Sequence, residues 1–321
     1  MLILERHTRA RCANVFLPDG RLSFYGLHSG IEVWELSTSK KSVTWAPDGW
    51  FVTQVAVDDI NHRLFALTLT DELADWNRFW VIDTRTGRAD AIPTQNGVFA
   101  RVHCAPKTGR VVCGSIGPWA ELYGRQPPEN MPLLVCWDTS GAAPFEVTWT
   151  LPNEPADVFV ADLEFASDGE RLVTLETSGI QPSRETVIRV RNAATGERLT
   201  EQLLPTPSAS QVIVSPVANA VVLLSKNRLY VWYFDPLRDL QLISSGTKKH
   251  FTAVAFHPSG RYLAATSNDA TVKLYDTSTW EVARTFTWDI GRMRSIAFSP
   301  DGTLAAAGSD TGKVVVWDVD I

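Results

Sequence analysis

Residues 295–318 read SIAFSPDGTLAAAGSDTGKVVVWD, and this stretch decides the fold because it contains one complete structural unit. An apolar run ends at Phe298 and is followed by the turn formers Pro300, Asp301 and Gly302. Two more apolar runs follow, separated by the polar residues 308–312. Proline presets φ for a tight turn and glycine accepts a positive φ. The stretch therefore predicts three antiparallel strands joined by two short turns.

The same unit recurs along the whole chain. Its inner strand ends at seven comparable positions: Phe16, Val57, Cys104, Phe165, Val214, Phe256 and Phe298. The spacings between them are 41, 47, 61, 49, 42 and 42 residues. Turn-forming clusters follow the third strand of the unit, and the alternating segment Glu281–Trp288 is typical of a fourth, outer strand.

A period of about 40 to 45 residues with a Trp-Asp dipeptide is typical of one four-stranded blade. Residues Phe298 to Asp318 and Phe256 to Asp276 resemble WD40 repeats, and the other five units look like diverged copies. The resemblance implies an all-β chain that folds as a seven-bladed β-propeller of four-stranded antiparallel blades. We expect residues 1–321 to form this single domain.

The last unit reaches Ile321 without a fourth strand of its own, whereas the apolar residues Leu2, Ile3 and Leu4 precede the first unit. We expect this N-terminal strand to pair into the last blade and close the ring, because closure removes exposed sheet edges.

In WD40 repeats a His, an Asp and the Trp brace each blade by hydrogen bonds. The sixth unit has His250, Asp269 and Tyr275 at these points, and the seventh has Asp310 and Trp317 with Arg292 at the His position. None of the other five units has both the His and the Asp. We therefore expect ordinary core packing to hold those five blades.

Three consecutive units are longer than the rest. We count the residues from the end of the inner strand to the position of the Trp in the Trp-Asp dipeptide. Units 2, 3 and 4 have 25, 33 and 26 residues over this span, whereas the others have 18 or 19. The extra residues fall between the second and third strands, at about 68–78, 115–132 and 176–186. Inserts of one loop type emerge on one face, and long loops on a rigid scaffold often carry binding sites.

The composition of these inserts favours binding over catalysis. The contact candidates are aromatic and arginine side chains, the types enriched in interface hot spots: Trp76, Arg78, Trp119, Tyr123, Arg125 and Arg184. An alternative interpretation is that Trp119 and Tyr123 only anchor their own loop to the scaffold.

Composition and charge exclude several classes of function. The net charge of −6 and the pI near 5.6 argue against general electrostatic binding of nucleic acid. No apolar run is long enough to span a membrane. The N-terminal apolar run is too short for a signal peptide, so we expect a cytoplasmic protein. The four cysteines lack metal-binding spacing and are expected to be free thiols.

Catalytic motifs are missing from the sequence. The six histidines show no metal-binding pairs, and residues 308–314 lack the spacing of a phosphate-binding loop. Only His103, Asp162 and Glu164 interrupt the apolar inner strands, too few for a ring of metal ligands.

These patterns favour a non-catalytic scaffold that binds a protein or peptide, with no cofactor and no metal, as a monomer or within a larger complex. The alternatives are a lactonase- or hydrolase-like propeller enzyme with an axial polar or metal site, and a subunit that only assembles with its own copies.

Overall fold

A computed structural model describes residues 1–5, 13–26, 30–46, 50–58, 60–70, 77–94, 97–115, 130–154, 157–178, 184–205, 209–245 and 250–320. In these residues the regular structure consists of β-strands, and none of them forms a helix. No segment of this described part is therefore a helix that could cross a membrane.

The strands form seven four-stranded antiparallel sheets, which are the blades of a seven-bladed β-propeller. Blade 1 contains β2 (Ala13–Phe16), β3 (Leu22–Gly26), β4 (Gly30–Glu35) and β5 (Lys40–Trp45), and the N-terminal strand β1 (Leu2–Glu5) precedes it. Blade 2 contains β6 (Trp50–Asp58), β7 (Arg63–Thr70), β8 (Asn77–Asp83) and β9 (Ala89–Ile92). Blade 3 contains β10 (Phe99–Cys104), β11 (Arg110–Ser115), β12 (Pro132–Asp138) and β13 (Glu146–Pro152). Blade 4 contains β14 (Phe159–Phe165), β15 (Arg171–Ser178), β16 (Glu185–Asn192) and β17 (Arg198–Leu203).

The last three blades follow the same order. Blade 5 contains β18 (Gln211–Val214), β19 (Ala220–Ser225), β20 (Arg228–Tyr233) and β21 (Gln241–Ser245). Blade 6 contains β22 (Phe251–Phe256), β23 (Tyr262–Ser267), β24 (Thr271–Asp276) and β25 (Glu281–Thr287). Blade 7 contains β26 (Met293–Phe298), β27 (Leu304–Ser309) and β28 (Lys313–Asp318), and its fourth strand is β1. The seven positions at which the repeat predicts the end of an inner strand, from Phe16 to Phe298, all lie in the observed inner strands.

The N-terminal strand pairs with β28, as the sequence predicts. Leu2 lies opposite Val316, and Leu4 lies opposite Val314. Leu4 is buried in a core cluster that joins blade 7 to Phe16 and Phe24 of blade 1. The first strand in the chain therefore contributes both backbone pairing and core packing to the last blade.

The chain divides into two compact units: Met1–Val52, Thr84–Gly87 and Ser215–Ile321 form the first, and Thr53–Asp83 and Arg88–Val214 form the second. In the second unit, apolar clusters lie between successive sheets. One joins blades 2 and 3 around Phe79, Phe99 and Trp137, and another joins blades 3 and 4 around Leu134 and Phe165. Cys104, Cys113 and Cys136 are buried free thiols, as expected, and Cys12 lies outside the described residues.

The expectation that core packing alone holds the diverged blades is wrong for blade 4. Glu176, which we expected in an insert, lies in β15 with its side chain only 1% exposed. Its carboxylate accepts hydrogen bonds from Arg191 Nη2 and from Thr174 Oγ1, both at 2.7 Å, and also contacts Arg189. An ion pair buried between β15 and β16 braces this blade, because a buried carboxylate is stable only with such partners.

In blade 7 the tryptophan of the Trp-Asp dipeptide is held by aromatic packing. Trp317 lies 4.6 Å from Trp288 and 5.7 Å from Phe286, measured between ring centroids. Its indole Nε1 is buried and has no hydrogen-bond partner among the described residues. Asp310 Oδ1 instead accepts a hydrogen bond from the backbone N–H of Arg292 at 3.0 Å, which closes the turn in the absence of a His.

Candidate functional site

The three inserts lie between the second and third strands of blades 2, 3 and 4, as the sequence predicts. The connections β7–β8, β11–β12 and β15–β16 run through residues 71–76, 116–131 and 179–184, narrower than the predicted ranges. Each insert begins beside the start of the inner strand of its blade. In blade 3, for example, Ser115 at the end of β11 pairs with Phe99 at the start of β10. We call this end of the second unit the insert face.

Two of the six predicted contact residues, Arg78 and Arg184, lie within the described part of the chain. Trp76, Trp119, Tyr123 and Arg125 lie outside the described residues. Arg78 is the second residue of β8, the strand that follows the first insert. Arg184 directly precedes β16, the strand that follows the third insert. Both arginines therefore sit where an insert rejoins its sheet.

Arg184 is held against an aromatic ring. Its guanidinium carbon lies 4.9 Å from the ring centroid of Phe159, the first residue of β14. Phe159 is only 9% exposed, so the ring is a fixed support. Partial burial lowers the pKa of the Arg184 guanidinium, yet arginine stays charged because its ordinary pKa is above 12. Cation–π stacking leaves the N–H donors at the edge of the guanidinium directed away from the ring face.

Arg78 has a similar but looser support. Its guanidinium carbon lies 5.9 Å from the ring centroid of Trp80 on the same strand. The indole Nε1 of Trp80 donates a hydrogen bond to Thr68 Oγ1 at 2.9 Å, and this fixes the ring against β7. The positions of both arginines are thus set by aromatic rings that the sheet itself holds.

Asn77 fixes the end of the first insert. It directly follows residues 71–76, and its side chain is buried. Asn77 Nδ2 donates to the carbonyl oxygen of Phe99 at 3.0 Å, and Asn77 Oδ1 accepts from the N–H of Phe99 at 3.1 Å. The return of this insert is therefore bonded to the inner strand of the next blade.

A polar cluster lies on the inner strands of the second unit. Asp162 Oδ2 accepts from the backbone N–H of Val212 at 2.9 Å, and Glu164 Oε2 accepts from that of Val214 at 3.0 Å. Arg101 Nε lies 3.6 Å from Asp162 Oδ1 and donates to the carbonyl oxygen of Ala161. These side chains satisfy backbone groups on the free edge of a neighbouring inner strand, which would otherwise lack partners.

Burial shifts the pKa values of this cluster. It raises the pKa of Asp162 to about 6, although Arg101 opposes the change. It raises the pKa of Glu164 well above its ordinary value, and the charge of Asp162 adds to the rise. It lowers the pKa of His103 to about 4. Both carboxylates already bond to backbone N–H groups, and the described residues contain no group of three potential metal ligands.

Sequence reasoning missed Asn77, Phe159 and Arg101. Asn77 and Arg101 each carried a signal, since an Asn at the start of a strand and an Arg within an apolar strand both need buried or half-buried partners. Phe159 carried none, because a phenylalanine at the start of a strand is indistinguishable from core.

Comparison with known proteins supports the repeat assignment. The family model "WD domain, G-beta repeat" matches residues 238–276 and 281–318, which lie in blades 5, 6 and 7. The chain is thus a WD40-repeat-like propeller, with two repeats that the family model identifies.

Curated relatives match over short segments. "Protein HIR1" of Mycosarcoma maydis is 37% identical over 103 residues, 29% of this chain and 10% of that protein. "Probable cytosolic iron-sulfur protein assembly protein 1" of Yarrowia lipolytica is 36% identical over 83 residues, 24% of this chain and 25% of that protein. These alignments span a quarter or less of either relative.

Among solved structures, the β-propeller domain of Myceliophteria thermophila Cps50 (Swd1) superposes with a TM-score of 0.72. The match covers 98% of this chain and 99% of that one at 14% sequence identity. At this identity the similarity concerns the fold.

Proposed function

We propose that this protein is a non-catalytic scaffold that binds a protein or peptide partner through the insert face of blades 2–4. The observation that carries the proposal is the stacking of Arg184 on Phe159 at 4.9 Å, where the third insert returns to its sheet. An arginine on a rigid aromatic support loses little conformational entropy on binding, and arginine is enriched in interface hot spots. Arg78 on Trp80 repeats the arrangement two blades away.

The proposed partner carries carboxylates that pair with Arg78 and Arg184, because a guanidinium binds a carboxylate through two parallel hydrogen bonds. Trp76, Trp119, Tyr123 and Arg125 remain proposed contacts on the inserts. Propellers with WD40 repeats generally serve as interaction scaffolds, and this supports both a scaffold role and the absence of catalysis.

We extend the proposal to the setting of the protein. Residues 1–321 act as one propeller domain, in the cytoplasm, as a monomer or within a larger complex, without nucleic acid or membrane as the partner. The Yarrowia lipolytica relative is named as a probable cytosolic iron-sulfur protein assembly protein, which agrees with the proposed compartment.

The test is affinity capture of crosslinked partners by the full chain, followed by quantitative mass spectrometry. The double variant Arg78→Glu/Arg184→Glu and the triple variant Trp119→Ala/Tyr123→Ala/Arg125→Ala should each lose the proteins that the wild type enriches. Arg88→Glu is the matched control, because Arg88 is 78% exposed and contacts Asp90 outside the inserts. Unchanged enrichment by both multiple variants, with the same melting temperature as the wild type, would refute the insert face.

A further inference from the structure

A groove lies in the first unit and shares no residue with the insert face. The groove has room for about 160 Å³ between the turns of blades 5 and 6. Its apolar lining comes from six side chains: Val217, Ala218, Ala220, Tyr233, Phe256 and Trp280. The volume is close to the roughly 150 Å³ of an apolar cavity that admits a benzene molecule. It therefore suits one aliphatic or aromatic side chain.

Trp280 adopts a backbone conformation that tryptophan normally avoids. Its φ is +59°, in the left-handed region, and its N–H bonds to the carbonyl oxygen of Asp276 at 2.7 Å. The equivalent turns of blades 2 and 4 have glycine at this point, Gly87 at φ +73° and Gly196 at φ +75°. A bulky residue with positive φ is strained by about 1 kcal/mol or more. Trp280 is therefore more strained than the glycine that blades 2 and 4 have at the same point.

The apolar residue that faces this turn in blades 2 and 4 is replaced by a polar one before Trp280. In blades 2 and 4 an apolar side chain from the outer strand of the preceding blade covers the glycine. A Cβ added to Gly87 would lie 3.1 Å from Val43, and one added to Gly196 would lie 2.9 Å from Trp149. The residue in this register position of blade 5 is Gln241, paired with Val231, and it is exposed. Trp280 is half-buried and lines the groove.

The opposite wall of the groove is rigid and exposed. Val217 is 68% exposed, yet it packs closely on Gly260. A Cβ atom added to Gly260 would lie only 2.2 Å from a methyl carbon of Val217. Ser215 Oγ accepts hydrogen bonds from the N–H groups of Val217 and Ala218 at 3.4 and 3.2 Å. Thr277 Oγ1 donates to the carbonyl oxygen of Gly260 at 2.8 Å. An exposed apolar side chain on a loop fixed in this way is typical of an interaction site.

Charges at the rim indicate the chemistry of the occupant. The guanidinium of Arg238 stacks over Tyr233 at 4.7 Å and is exposed, and that of Arg261 stacks over Tyr262 at 5.0 Å with the side chain 66% exposed. The adjacent Asp276 is only 23% exposed, and its Oδ1 accepts two hydrogen bonds from Ser278. Arg261 Nε also lies 3.8 Å from Asp276 Oδ2, but an ion pair with an exposed arginine is weak, so Arg238 and Arg261 are both cations that an acidic segment can bind.

We propose that this groove binds a peptide segment of a partner protein, in which one apolar anchor side chain is flanked by acidic residues. The anchor contacts Trp280, Val217 and Phe256, and the flanking carboxylates pair with Arg238 and Arg261. The proposal is independent of the insert face, so either one can fail without the other.

The probe is a panel of fluorescein-labelled ten-residue peptides with a central Leu, Phe or Trp and random flanks of Asp and Glu, titrated against the full chain by fluorescence anisotropy. Matched panels have Lys and Arg flanks, or Ala at the anchor. Acidic peptides with an apolar anchor should bind at least tenfold more tightly than either matched panel. Val217→Asp and Trp280→Gly should each weaken binding at least tenfold. Arg238→Glu/Arg261→Glu should reverse the preference between flanks.

The variants separate loss of binding from loss of folding. Trp280→Gly places the residue of blades 2 and 4 at the left-handed position, so the melting temperature should be maintained or raised. Val217→Asp changes a side chain that is already exposed. Leu203→Asp is the matched control, because Leu203 is 55% exposed on β17 and does not line the groove. Absence of saturable binding by every acidic peptide, tighter binding of the basic panel, or unchanged binding by Val217→Asp would overturn the proposal.

Discussion

The side-chain amide of Asn77 holds the backbone of Phe99 through both of its polar atoms. The N–H of Phe99 donates to Asn77 Oδ1 at 3.1 Å, and its carbonyl oxygen accepts from Asn77 Nδ2 at 3.0 Å. The same Nδ2 lies 3.3 Å from the carbonyl oxygen of Thr68. One amide therefore ties a strand of blade 2 to the inner strand of blade 3, beside the first insert.

Asn77→Ala should destabilise the protein by about 2 to 3 kcal/mol, because it leaves buried backbone groups of Phe99 without partners. Denaturant unfolding followed by circular dichroism measures the change. Asn219→Ala is the control, since Asn219 bonds to Asp235 at the surface, and it should change stability by less than about 0.5 kcal/mol. Equal effects of the two substitutions would contradict the role of Asn77.

Glu176→Gln should destabilise the protein by about 3 to 5 kcal/mol, because it leaves the charge of Arg191 buried without its counterion. The double variant Glu176→Leu/Arg191→Met should recover most of this loss, since it removes both charges together. Thermal unfolding of the single and double variants measures the coupling. For comparison, Glu201→Gln removes a 43% exposed carboxylate on β17 and should cost less than about 1 kcal/mol. No recovery in the double variant would show that the ion pair is not the bracing element.

Leu4→Ala should destabilise the protein by about 2 to 4 kcal/mol, because Leu4 is 3% exposed within the cluster that joins β1 to blades 7 and 1. The neighbouring Ile3 is 42% exposed on the other face of the same strand. Ile3→Ala should therefore have less than half the effect of Leu4→Ala in the same denaturant titration. Deletion of residues 1–8 should lower the melting temperature further, and a retained melting temperature would refute a structural role for β1.

The spacing of the anchors was enough to predict the seven blades and the place of the three inserts. Both depend on local turn chemistry and on period-2 patterning, which adjacent residues in the chain determine. The pairing of the N-terminal strand with the last blade was predictable for another reason: only one strand of the ring was missing and only one strand was unassigned.

The bracing of individual blades was not predictable. Glu176 and Arg191 stand on adjacent strands but are separated by a loop of variable length, so no sequence spacing marks them as a pair. The groove at Trp280 escaped sequence reasoning for a related reason. Its recognition depends on the φ of one turn residue and on the cross-strand register of Gln241, and neither is visible in composition or period.

Asp162 should make stability depend on pH in a direction opposite to that of a surface carboxylate. Burial raises its pKa to about 6 in the folded protein, above the value of about 3.9 expected in the unfolded chain. The folded state therefore binds the proton more tightly, and its contribution to stability is complete below about pH 4 and is lost as the pH rises through 6.

The variant Asp162→Asn keeps an acceptor for the N–H of Val212 but cannot ionise. The free energy of unfolding of the wild type should fall relative to this variant, by at most about 3 kcal/mol, as the pH rises from 4 to 7. Urea titrations of both proteins at intervals of half a pH unit measure the difference. Asp168→Asn is the control, for which we expect the opposite pH dependence of stability. Burial opposes the ionisation of Asp168, but its bonds with Arg171 lower the pKa of this carboxyl below the ordinary value. The wild type should gain stability relative to Asp168→Asn between about pH 3 and 5, so parallel profiles for the two variants would show that burial of Asp162 does not control its titration.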